Sequence, residues 1–259
     1  MIIGTSVRHG SLLLISAGLI VGVFLLDPIA QQDAYHRFAD SRRLFGIPNF
    51  WNVFSNVLFA YAGIAGLRFL ARPGHPGIVA ALLSSYRVFF AGLLLTAFGS
   101  AWYHANPGIE SMLWDRLPMT LAFMSLFSVV IGEQVSVPLG RRLLIPLLIV
   151  GAGTVLYWWF GEASHRGDLR PYVLVQFLPM VLIPMMLVLY GSPFDRTGFI
   201  WQMIVLYAAA KVFEYIDYSV FSAGGLISGH SVKHIVAAIA TLVFLHGLKH
   251  RTPRNTDSQ

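Results

Sequence analysis

The chain has 259 residues, of which 56 % are hydrophobic and 12 % charged, with a formal net charge of +6 and no cysteine. Soluble domains carry about 25 % charged residues, so most of this surface faces something other than water. The apolar runs are continuous rather than alternating, which excludes a membrane β-barrel and leaves helices that satisfy their own backbone. The basic residues sit in short groups beside apolar runs, as loop anchors do, and do not point to nucleic acid; without cysteine, disulfides, thiolate metal sites and cysteine nucleophiles are excluded.

Eight apolar segments are predicted, at 10–26, 50–71, 86–104, 117–133, 143–160, 171–190, 199–218 and 230–247, each near the length of about 20 residues that spans a bilayer as a helix. Breakers separate them: Asp27-Pro28, Arg72 to Gly77, Asn106-Pro107-Gly108, Gly191-Ser192-Pro193 and Gly224-Gly225. The fold class is therefore all-α, a polytopic membrane protein of eight passes. The first segment is flanked by Arg8 and by Ala30-Gln31-Gln32 in the manner of a signal peptide, but it is long for one and no small-x-small site ends it cleanly, so an uncleaved helix is expected.

Eight passes put both termini on one side. Ten Lys and Arg lie on that side against six on the other, where Asp27, Asp33, Asp40, Glu110, Asp115, Glu162 and Asp168 also lie. The positive-inside bias then makes the termini cytoplasmic and the acidic face extracytoplasmic.

Ionisable groups at membrane depth are costly and mark function. Ser100 and His104 are four apart and stack on one helix face at the end of the third segment. Asp115 is expected in the first turn of the fourth segment, with Pro118 at a position where proline is tolerated. His230 and His234 repeat the four-residue spacing at the start of the eighth. By parity all five reach the same outer membrane level. Three imidazoles suit a catalytic zinc site with an open fourth position, where the ion acidifies a water and polarises a carbonyl oxygen; paired histidines also ligate haem, copper or iron. Asp115 would serve as general base or acid, and Ser100 as a hydrogen-bond donor to an oxyanion or partner of the attacking water. Taken singly, each has a plainer role: His104 as an interfacial residue, Asp115 as a helix-dipole partner, Ser100 as a small packing residue.

Ser100-x3-His104-x10-Asp115 followed by Pro118-Met119, with a late His230-x3-His234, resembles the alkaline ceramidase family, part of a superfamily of seven-helix intramembrane hydrolases that includes the progestin and adiponectin receptors. Asn49-Phe50-Trp51-Asn52-Val53-Phe54-Ser55-Asn56 is similar to that family's first core helix, and Glu214-Tyr215-Ile216-Asp217 sits where the family often has Trp-Asn-x-Asp. The resemblance covers 33–248 as a seven-helix hydrolase core, leaving 1–32 as an additional N-terminal helix, which suits a bacterial inner-membrane relative, and 249–259 as a frayed polar tail. It implies Zn2+ on His104, His230 and His234, Ser100 and Asp115 beside the reacting water, and hydrolysis of the amide joining a fatty acid to a sphingoid base or related lipid amine. The family's glutamate at the head of the first core helix is Asn49 here, and its calcium-binding acidic stretch is replaced by 33–43, where basic residues interleave with acids and repel calcium. Asp33, Asp40 and Asn49 are the residues a calcium site would use.

Asp217 is expected beside the site, orienting a ligand histidine. Lys211 and Glu214, three apart, are expected to form a structural ion pair, and Asn52 and Asn56 to join helices. His246 and His250 fall at the opposite face; His9, His36, His75 and His165 carry no signal. The expected partner is a membrane lipid with an acyl chain. Two other functions fit the same residues: a receptor of the related family, which calls for a sizeable soluble terminus where only short ones flank the helices, and a haem or metal carrier built on the paired histidines.

Overall fold

Each predicted breaker falls at or beside a helix end. The structure, a computed structural model, describes residues 4–254. α1 (Thr5–Phe24) leads into a linker that contains a 3-10 turn at Asp33–His36. α2 (Phe50–Phe54) and α3 (Val57–Leu70) make the next pass, followed by α4 (Leu83–Ala105), α5 (Ile109–Gln134), α6 (Val137–Glu162) and α7 (Arg170–Leu189). α8 (Gly198–Tyr215), α9 (Asp217–Gly224) and α10 (Gly229–His250) complete the order. Among the described residues there is no strand, only isolated bridges at Leu44–Ile47 and Phe194–Pro253. Seven passes, α1 included, are long and apolar enough to cross a membrane, and the α8–α9 pair, bent by 74°, is the eighth if counted as one span. The protein is an all-α polytopic membrane protein.

α5 is the central helix, with 72 % of its apolar window buried. Small residues bring its neighbours close, as they do where no hydrophobic force acts between helices in lipid. Gly99 of α4 lies against the Trp114 carbonyl with no room for a Cβ, and Gly140 of α6 packs in the same way on Gly132. Pro118 contributes to the first contact, because a proline inside a helix leaves the carbonyl four residues back without its donor. The outer faces are apolar in return: α1 has no buried residue, and Ile145, Ile149 and Tyr157 of α6 are exposed, as lipid contact demands.

Three boundaries differ from expectation. α5 starts at Ile109, directly after the Asn106–Gly108 break, so Asp115 lies beyond the first turn and Pro118 is interior. The seventh segment is broken at Ile216 rather than continuous. Of the tail 249–259, expected to fray, residues 255–259 lie outside the described ones; ahead of them α10 runs to His250, and Arg251 is buried with its guanidinium on Glu133, on Tyr86 Oη at 3.0 Å and on the Gly77 carbonyl at 2.8 Å. The Phe194 ring lies 3.7 Å beneath it. That knot closes the terminus end of the bundle. The opposite end, where α4, α5, α8 and α10 converge under the linker, carries the site.

Candidate metal centre

His104 sits in the last turn of α4 and His230 and His234 in the first two turns of α10, so both helices deliver their imidazoles to one level. The ring centroids are 4.8, 4.9 and 5.0 Å apart, and one nitrogen from each ring lies within 4.8 Å of the others. All three side chains are buried. Nδ1 of His104 has no hydrogen-bond partner, an arrangement that costs free energy unless something supplies one.

The His234 ring is held from behind. Nδ1 of His234 is 2.8 Å from Ser55 Oγ, which itself donates to the Asn52 carbonyl at 3.1 Å. With the Ser55 proton committed there, its oxygen accepts from Nδ1–H, and Nε2 of His234 keeps an unshared lone pair; a hydrogen bond at one ring nitrogen decides the role of the other. Asn52 is fully buried and ties three segments: its Oδ1 accepts from Ser231 Oγ at 2.6 Å and its Nδ2 donates to the Asp40 carbonyl at 3.3 Å. It does join helices, as expected, and also supports the histidine helix.

Asp217 acts on the backbone of His230 rather than on its ring. Its Oδ1 accepts the His230 N–H at 2.7 Å and its Oδ2 the Ala39 N–H at 3.1 Å. The break at Ile216 turns α9 so that this carboxylate caps α10, where a helix N-terminus favours a negative charge, and pins the linker over the site. Phe38 of that linker covers His104 and His230 with ring centroids 4.7 and 5.2 Å away.

Ser100 is buried one turn before His104, and Asp115 faces it from α5 across the Gly99 contact. Both line a cavity of about 310 Å³ that His234 also borders. Below them its walls are mainly apolar, including Phe89, Leu93, Phe123, Met180 and Ile183. Phe89 lies eleven residues before Ser100 on α4, so the slot is about 16 Å deep at 1.5 Å per residue.

Two of the calcium candidates are engaged by protein groups and the third is exposed. The Asp40 carboxylate is engaged by Arg42 through Nε at 2.8 Å and Nη2 at 2.7 Å. Burial pushes the Asp40 carboxyl up, but the guanidinium and backbone N–H of Arg42 outweigh it and hold the group below the usual carboxylate range. Nδ2 of Asn49 donates to the His104 carbonyl at 2.8 Å, fixing the end of α4, and Asp33 is exposed. His246 and His250 stack on each other at the far end of α10.

Four contributors escape the sequence reading. Ser55 stands in a polar Asn52-x2-Ser55-Asn56 run inside an apolar pass, and that run is the signal that finds it. Lys233, between the two helical histidines, has Nζ 2.9 Å from His230 Nε2 and 3.0 Å from Glu214 Oε1; a lysine at membrane depth is itself a signal. Lys211 does pair with Glu214, at 2.7 Å, yet both also line the cavity, as does Arg116 beside Asp115. Nothing in the local sequence marks Phe38.

No curated protein matches the chain. The family model described as Ceramidase matches residues 45–259, a stretch that holds Ser100, His104, Asp115, Asp217, His230 and His234. On that match, spanning most of its length, the chain belongs to the Ceramidase family.

Proposed function

We propose that this protein is a zinc-dependent membrane amidase that hydrolyses the N-acyl bond of ceramide or a related lipid amide, releasing a fatty acid and a long-chain amine. The observation that carries this reading is a cluster of three buried imidazoles of which one, His234, lines the head of an acyl-sized slot together with Ser100 and Asp115.

His104, His230 and His234 would hold the ion. The donor set is nitrogen only, which suits zinc, the buried His104 Nδ1 has no partner, and Ser55 leaves Nε2 of His234 free to ligate. Nε2 of His230 faces the Lys233 ammonium, and would be released to ligate with the ammonium left on Glu214. When bound, zinc supplies a Lewis acid that polarises the amide carbonyl and acidifies water.

The chain's own residues do the rest. The apolar slot takes the acyl chain and leaves the amide between Ser100 and Asp115. Asp115 accepts a proton from water as its oxygen adds to the carbonyl carbon, and then passes that proton to the amide nitrogen. The C–N bond breaks, the water oxygen stays with the fatty acid, and the amine leaves. Ser100 donates a hydrogen bond to the carbonyl oxygen while negative charge grows on it. Phe38 and the linker exclude bulk water. The charge bias of the loops supports cytoplasmic termini and a site open toward the extracytoplasmic leaflet.

The test pairs metal analysis with product release. Purified wild type should carry zinc and release fatty acid from at least one member of a panel of lipid amides. His230→Ala should lose both. Full zinc occupancy in His230→Ala, or wild type inert on every amide, overturns the reading.

A further inference from the structure

The upper wall of the cavity carries more positive charge than hydrolysis of a neutral amide requires. Arg116, Lys211 and Lys233 line it against two carboxylates, Asp115 and Glu214. Glu214 serves both lysines, Lys211 at 2.7 Å and Lys233 at 3.0 Å, and accepts a hydrogen bond from Tyr35 Oη at 3.1 Å as well. One carboxylate therefore answers two ammoniums. Among the described residues Asp115 makes no ion pair, and neither does Arg116.

Arg116 is an independent indication. It is 7 % exposed. Its guanidinium is caged by Trp158 at 4.3 Å and Tyr172 at 5.1 Å, and Nη2 donates to Gln31 Oε1 at 2.6 Å, while Nη1 is buried without a partner. A buried cation with an unanswered donor is expensive to maintain unless an anion completes it. Tyr35 connects the two groups, lying 5.9 Å from the Arg116 guanidinium while its hydroxyl reaches Glu214.

We propose that the substrate is a lipid amide whose amine half bears an anion, a carboxylate or a phosphate, received by Lys211, Lys233 and Arg116. This rests on the amidase reading above and narrows it. The short distance from Lys233 to the histidines requires the anion to lie only a few bonds from the scissile nitrogen, as the carboxylate of an N-acyl amino acid does; a phosphate on a short amino alcohol has the same charge slightly further out. The acyl half has no comparable partner, because its slot is lined mainly by apolar side chains.

The test compares amides that share one palmitoyl chain: N-palmitoylglycine, N-palmitoylphosphoethanolamine, neutral N-palmitoylethanolamine and neutral ceramide. Wild type should favour an anionic member over the neutral ones by about 10-fold or more in kcat/KM, the worth of a charge-assisted hydrogen bond. The carboxylate and phosphate arms tell the two anions apart. Lys211→Met should lower kcat/KM on the favoured anion about 10-fold more than on the neutral amides, and Lys211→Arg should restore the preference. Equal or better turnover of neutral amides by wild type overturns the inference and leaves the amidase reading intact.

Binding without hydrolysis separates the two failures. The ketone isostere of N-palmitoylglycine, with CH2 in place of NH, should raise the melting temperature of the full chain more than the matching keto alcohol. Lys211→Met should erase that difference. Equal shifts overturn the inference whether or not any amide is cleaved.

Discussion

Ser55 Oγ lies 2.8 Å from Nδ1 of His234 and donates its own hydrogen bond to the Asn52 carbonyl. One hydroxyl thus sets the tautomer of a buried imidazole from a different pass of the chain. Removing it leaves the ring able to rotate and to protonate the wrong nitrogen. Ser55→Ala should weaken zinc binding by about 10- to 100-fold, read by competition with a chelator of known affinity. Unchanged affinity would show that the tautomer is held by something else.

Leu93 lines the slot seven residues before Ser100, about 10 Å below it at 1.5 Å per residue. Leu93→Trp should shorten the acceptable acyl chain, moving the optimum of fatty-acid release toward shorter amides while short substrates are still cleaved. Overpacking should cost about 1–3 kcal/mol of stability, so a melting curve accompanies the kinetics. An unaltered chain-length profile in the folded variant would place the acyl tail elsewhere.

Asp168 ties the linker after α1 to the core: it accepts from the Ile29 N–H at 3.3 Å and forms a fork with Arg170 through Nε at 2.9 Å and Nη2 at 2.8 Å. Burial pushes its carboxyl up, but the Arg170 guanidinium and the backbone N–H groups of Arg170 and Ile29 prevail and hold it below the usual carboxylate range. Its folded value is thus below its unfolded one, so the stabilisation is present above about pH 4 and fades as pH falls through the folded value. Asp40, held down by Arg42, adds in the same direction. Asp168→Asn should be less stable than wild type at neutral pH, and the gap in melting temperature should close below about pH 4. A constant gap from neutral to acid would assign the effect to packing instead of charge.

Much of the site was legible because membrane depth makes polar residues conspicuous. His104, Asp115, His230 and His234 stood out against apolar runs, and counting passes brought them to one level without any tertiary information. Ser55 and Lys233 are just as polar and just as deep, yet Ser55 meets His234 from about 180 residues away and Lys233 meets Glu214 on another helix, and spacing along the chain does not disclose those pairings. Asp217 illustrates the limit well. Its neighbourhood was foreseeable, but the capping of the His230 N–H depends on the 74° bend after Tyr215, and an apolar run of that length reads equally well as one straight helix.

By itself the sequence determined that this is a helical membrane protein with three imidazoles, a carboxylate and a hydroxyl at one level, because the cost of burying polar groups in hydrocarbon is paid residue by residue and leaves its mark on composition. Only the tertiary structure decided which nitrogen Ser55 claims, that Phe38 roofs the histidines, and that two lysines and an arginine surround the cavity. Those outcomes depend on how helices lean and bend against one another, through contacts such as Gly99 on the Trp114 carbonyl, and helix packing is a property of surfaces far apart in the chain.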